Sequence, residues 1–173
     1  MREHRHSFEM PHSAARIWAL MRDCAMCFSV APGLDRWTEY APMVLEMQVP
    51  EPGDEHGNGL VRVLQFRLPF GRRGTARERV SDVEPERGYR FEMGFDRPNS
   101  QTGAVRLVPL GPNRTRLDFE ERFHLTRAPR KWFEGPIYRS INRKNEASMR
   151  GFSRWLADHP EFRPDLVEPK EGQ

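Results

Sequence analysis

The chain has 173 residues, 31% of them charged and 37% hydrophobic, with a formal net charge of +3. That length supports a real core. No apolar run approaches the ~20 residues of a membrane helix, and interspersed Arg and Glu with so small a net charge argue against a nucleic-acid binder.

The N-terminal MREHRHSFEM lacks the apolar region of a secretory signal, so a cytoplasmic protein is expected. Within it His4, His6, Phe8 and Met10 alternate with Arg5, Ser7 and Glu9, which predicts a half-buried strand. In PHSAARIWALMRD a helix starts at Pro11–Ser13, with Ala15, Trp18, Ala19 and Arg22 at helical spacing, and ends near Asp23.

Residues 24–34 read as a loop carrying Cys24 and Cys27, the chain's two cysteines. A structural zinc needs about four ligands, and none of the six histidines has the spacing to complete the set. A redox dithiol belongs at a helix N-terminus, whereas Cys24 follows a helix end. Neither metal nor redox chemistry is expected of the pair.

LDRWTEYAP predicts one or two further helical turns. Six strands joined by Gly-, Pro- and Asn-rich turns follow: MVLEMQVP, GLVRVLQFRLP, TARERVSDV, YRFEMGFD, QTGAVRLVPL and RTRLDFEERFHLT. From Lys131 to about Asp158 the period changes. Phe133, Ile137, Ile141, Met149, Phe152 and Leu156 recur at three or four residues, the mark of an amphipathic helix of roughly seven turns. Residues 1–159 are expected to form one domain, and 160–173, rich in proline and charge, a loosely ordered tail.

Short turns make the six strands an antiparallel meander. The first strand can complete the sheet beside the last, giving an α+β fold of about seven strands around a long C-terminal helix. At this point the chain resembles the helix-grip superfamily, which includes the lipid-transfer START domains, the birch pollen allergen and the bacterial polyketide cyclase/dehydrase proteins. EMPHSAARIWALMRD, with Trp18 and Asp23, is similar to the family's opening strand and helix. RWTEYAP resembles its W-x-x-[WY]-x-P turn. Gly59–Arg62, RERVSDVEPERGYRFEM and GPNRTRLDFEERF resemble its middle and late strands, and INRKNEASMRGFSRWLADH the C-terminal helix of aromatase/cyclases. The resemblance runs from Phe8 to about His159 and implies a sheet of about seven strands wrapped round the helix, with two short helices after the first strand. It further implies a small hydrophobic ligand held in an interior cavity.

If the sheet grips the helix, alternation assigns the inward side chains. Phe66, Phe91, Phe119, Ile141 and Met149 are the expected apolar wall, and Arg62, Glu78, Glu121 and Asn145 share its parity or stripe. The four polar groups are either mutually satisfied, with Arg and Glu paired, or anchors for a ligand. Trp18, Trp37 and Tyr40 are either ordinary core or the wall and lid of the pocket. No catalytic residue, cofactor or metal is assigned, because no Ser-His-Asp order, metal motif or clear acid/base pair stands out. Three classes of function follow: carriage of a lipid, polyketide or isoprenoid-like molecule; an aromatase/cyclase-type enzyme, with an acyl carrier protein as partner in a polyketide pathway; or a ligand-free interaction module with a filled core.

Overall fold

The computed structural model describes residues 3–26, 44–67, 73–95, 99–124 and 134–162, apart from the side chains of 22–26, 44, 134, 137, 140, 141, 144, 145 and 148. Strand β1 (Glu3–Met10) leads into helix α1 (Ala14–Met26). Then come β2 (Val44–Glu51), β3 (Val61–Arg67), β4 (Arg73–Glu84), β5 (Gly88–Phe95), β6 (Ser100–Gly111) and β7 (Arg114–His124). Helix α2 (Glu134–Asp158) follows. All seven strands form one antiparallel sheet in the order β1-β7-β6-β5-β4-β3-β2, so the first strand does complete the sheet beside the last.

Helix α1 runs three residues past the expected end at Asp23. Ala25 and Met26 are good helix formers and no Gly or Pro interrupts them, so Cys24 lies on the last turn rather than after it. Its start is as the sequence indicates: the Ser13 hydroxyl accepts the Arg16 backbone N–H at 3.3 Å. The second short helix expected over LDRWTEYAP, and with it Cys27, Trp37 and Tyr40, lies outside the described residues.

Strand register aligns the inward side chains in rows. One row crosses the sheet as Arg62, Glu78, Met93, Gln101 and Phe123. The next is Val80, Phe91, Gly103, Glu121 and His4, and a third joins Tyr89, Val105, Phe119 and His6. Gly103 is small for a reason. A Cβ there would stand 2.5 Å from Phe91 Cζ and 2.7 Å from the Glu120 carbonyl oxygen.

The core gathers at one end of this face. Ile17, Trp18 and Leu20 of α1 and Phe152 and Leu156 of α2 are buried there against Val80, Val105 and Leu117. Arg16 fixes the C-terminal end of α2. Its Nη2 donates to the carbonyls of Leu156 (2.8 Å) and His159 (2.6 Å), and its Nε to that of Phe162 (3.0 Å). Leu156 lies in the last turn, whose carbonyls lack intrahelical partners, and His159 and Phe162 follow the helix. Toward the other end the inward apolar side chains Met47, Leu64, Phe66, Met93 and Phe95 are only half-buried. The outer face is a ladder of exposed ion pairs, such as Arg122–Glu3 at 2.7 Å and Arg77–Glu51 at 2.8 Å. Such pairs balance charge and contribute little stability individually.

Candidate functional site

Two polar groups of side chains sit on the inner face. In the first, Arg62 and Glu78 are directly opposed across β3 and β4. Arg62 Nε donates to Glu78 Oε2 at 2.7 Å and Nη2 to Oε1 at 2.8 Å, a two-pronged ion pair. Glu78 is 2% exposed. Burial alone would weaken the Arg62 charge, but Glu78 more than offsets it and holds the guanidinium above its ordinary pKa. The Tyr89 hydroxyl lies against Arg62, and burial pushes the Tyr89 pKa up while the Arg62 charge opposes the rise.

The second group joins β1, β6, β7 and α2. Gln101 Nε2 donates to Glu121 Oε1 at 2.7 Å. Glu121 is 4% exposed, and its Oε2 has no hydrogen-bond partner among the described residues. His6 Nδ1 stands 3.8 Å from it. That nitrogen is instead 2.6 Å from the Tyr138 hydroxyl on α2, and His6 Nε2 has no partner among the described residues. Aromatic rings wall the group. His6 stacks on Phe119 (centroids 4.9 Å, planes 4° apart), Phe8 meets His6 edge-on, and His4 stacks on Tyr138 at 3.8 Å.

Burial sets the protonation here. It raises Glu121 to about 7 against the opposing hydrogen bond from Gln101. It lowers His6 to about 4, with His4 adding to the effect. Tyr138 is pushed up to about 12 by burial and by Glu121. Near neutral pH the group thus holds a neutral imidazole, a neutral phenol and a carboxyl close to its midpoint, the ingredients of proton transfer or of polar ligand contact.

Arg62, Glu78 and Glu121 therefore all face inward, as alternation indicates, but in separate groups. Phe91 and Trp18 are core, Phe66, Phe119 and Met149 are partly buried, and the side chains of Ile141 and Asn145 lie outside those described. A different helix asparagine stands out: Asn142, one turn after Tyr138, has a buried Oδ1 without a partner among the described residues. The sequence reading missed His6, Tyr138, Gln101 and Asn142 as site residues. His6 was visible on the inward parity of β1, but its meeting with Tyr138 depends on how α2 crosses the sheet.

A separate concavity of about 610 Å³ lies at the β4–β5 turn, bordered by Ala14, Glu84, Arg87, Tyr89, Arg106 and Pro109. It is not the cavity expected between Phe66, Phe91, Phe119, Ile141 and Met149, whose surroundings include residues outside those described. Among the described residues, no three His, Cys, Asp or Glu side chains are grouped to hold a metal ion, and no helix is long and apolar enough to cross a membrane.

A seven-stranded antiparallel sheet with this strand order and a long C-terminal helix against its inner face defines the helix-grip class. The family profile for polyketide cyclase/dehydrase and lipid transport matches residues 1–156, and the chain belongs to that family. No curated protein sequence matches it significantly. Among solved structures, an aromatase/cyclase from Streptomyces is similar with a TM-score of 0.71 at 16% identity, over 92% of this chain and 95% of that one. A START superfamily protein from Mycobacterium smegmatis gives 0.65 at 14% identity, over 89% and 98%. A norcoclaurine synthase from Thalictrum gives 0.61 at 17% identity, over 92% and 96%. At such identities the likeness is one of fold.

Proposed function

We propose that the protein binds a small hydrophobic ligand, of lipid, polyketide or isoprenoid type, in an interior cavity between the sheet and α2. One observation carries this. The inward apolar side chains Met47, Leu64, Phe66, Met93 and Phe95 are only half-buried, although they share the inner face with fully buried Glu78 and Val80. A sheet face fully covered by the described residues would bury these before it buried a carboxylate. Membership of a family described by cyclisation, dehydration and lipid transport supports the reading. An apolar fluorescent probe should bind the protein. Phe119→Trp, which adds volume beside the cavity, should weaken that binding while costing less than the ~1–3 kcal/mol of overpacking a filled core. Absence of probe binding together with strong destabilisation would mean a solid interior and an interaction module.

A second reading, an aromatase/cyclase-type enzyme, is favoured by the position of Glu121 near 7 beside the His6–Tyr138 contact. Enolisation of a bound diketone needs a base that is partly ionised at neutral pH, held out of water. Deuterium exchange at the carbon between the two carbonyls of a β-diketone that the protein speeds above the rate in buffer, and that falls back to the buffer rate in Glu121→Gln, distinguishes catalysis from carriage.

A further inference from the structure

We propose that the polar end of the ligand is a neutral hydroxyl group, held by Glu121 and His6 at the β1–β7 side of the interior. The inference rests on the cavity reading above and adds to it where the ligand is gripped and by what chemistry.

The two polar groups of the inner face differ in what they still need. Arg62 and Glu78 occupy one another through two short bonds, with Tyr89 beside them. Glu121 and His6 do not. Glu121 uses Oε1 for Gln101 and leaves Oε2 without a partner among the described residues. His6 uses Nδ1 for Tyr138 and leaves Nε2 in the same condition. Both side chains are more than nine-tenths buried, His6 at 7% and Glu121 at 5% side-chain exposure. Buried polar atoms in folded proteins are normally satisfied by protein groups or ordered water, so two that lack a partner among the described residues mark a place where a ligand group can bond.

The chemistry of the two open atoms selects that partner. In the tautomer in which the Tyr138 hydroxyl donates to Nδ1, the imidazole proton resides on Nε2, which then donates. Glu121 Oε2 accepts when the carboxyl is ionised and donates when it is protonated, since Oε1 is taken by Gln101. A ligand hydroxyl donates and accepts through one oxygen and so serves both forms beside an Nε2 donor. A ligand carbonyl would serve the protonated form alone, an ammonium would leave the Nε2 proton open, and a carboxylate would face ionised Glu121. Burial keeps His6 uncharged and disfavours ionised Glu121, so a neutral group suits the site. The rings of Phe119, Phe8 and Tyr138 around His6 suit a flat, apolar body next to the hydroxyl, so a phenol or enol fits better than a bulky alcohol.

Three probes of similar shape test this on the full chain near neutral pH: naphthalene, β-naphthol and naphthylmethylammonium, with affinities by fluorescence or calorimetry. β-Naphthol should bind about tenfold more tightly than naphthalene, the effect of gaining a buried hydrogen bond. Glu121→Leu and His6→Phe should each bring the two affinities together while leaving naphthalene binding in place. Two variants are needed in case one fails to fold. Tyr89→Phe, which alters the other polar group, should keep the preference. Equal affinity of the parent protein for naphthalene and β-naphthol, preference for the ammonium, or a preference lost in Tyr89→Phe and kept in Glu121→Leu would overturn the assignment while leaving the cavity reading standing. Failure of all three probes to bind would remove both.

Discussion

His6 and Tyr138 stand 132 positions apart in the chain, yet their side chains meet at 2.6 Å, joining the first strand to the first half of the last helix. His4 reinforces the joint by stacking on the same tyrosine. Tyr138→Phe keeps the ring and its stacking but leaves His6 Nδ1 without a hydrogen-bond partner among the described residues. A loss of about 1–3 kcal/mol is expected, measured by urea unfolding. Faster amide exchange should appear in the first turns of α2 and not around Leu156, which Arg16 holds separately.

The pH dependence of stability should carry two opposed contributions from this corner. Glu121 titrates near 7 in the folded chain against an ordinary 4.5, so its ionisation costs stability as pH rises from 4.5 to about 7. His6 titrates near 4 against an ordinary 6.5, so it costs stability as pH falls from 6.5 to about 4. Between 4.5 and 6.5 the two slopes, each about 1.4 kcal/mol per pH unit, oppose and cancel. Glu121→Gln should unmask the histidine, making stability rise with pH across that window relative to the parent. His6→Phe should unmask the carboxyl and make it fall. Unfolding midpoints at the two ends of the window, compared between variant and parent, cancel the contributions of the other carboxylates.

The Arg62–Glu78 pair should behave as a buried ion pair does. Arg62→Met alone leaves Glu78 charged, buried and unpaired, and should cost about 3–5 kcal/mol. The double variant Arg62→Met, Glu78→Leu should recover most of that loss, because neither charge then needs compensation. A denaturant series over the two single variants and the double yields the coupling directly. An additive result would show that the pair interacts weakly despite its geometry.

Arg16→Met removes three hydrogen bonds from the last turn of α2 and the residues that follow it, while preserving most of the side-chain bulk. The expected loss is about 2 kcal/mol or more, since each bond comes from a charged donor. It should be accompanied by fraying of the turns closed by His159 N–H to the Trp155 carbonyl and Phe162 N–H to the His159 carbonyl. Hydrogen exchange that rises evenly over the whole protein, with no excess there, would contradict this role.

The parts of the fold that local pattern controls were legible in the sequence. Period-2 alternation located the strands, and the change of period from Lys131 onward located α2. The short turns implied the meander, and with it the slot for β1 beside β7. Alternation also placed Arg62, Glu78 and Glu121 inside, because parity depends only on position along a strand. The end of α1 was misjudged because the C-x-x-C pattern looked like a loop, while nothing in Cys24, Ala25 or Met26 ends a helix. The His6–Tyr138 contact was beyond local reasoning. It depends on the crossing of α2 over β1, which no periodicity encodes. The division of the polar residues into a satisfied pair and an open one follows from the row register of β3–β4 and β6–β7, which turn lengths alone did not define.

Because β1 is an outer strand whose one neighbour is β7, the order of synthesis matters for this chain. On a ribosome, β2 to β6 can each pair with the strand made just before or after them. The first strand has to wait until Arg114–His124 has been made, an interval on the order of ten seconds at typical elongation rates. Throughout it, Phe8 and Met10 have no sheet to cover them. The nascent chain thus carries a solitary, half-apolar strand until β7 has been made. This exposed segment is where a holding chaperone would act, and where strand exchange between neighbouring nascent chains would begin.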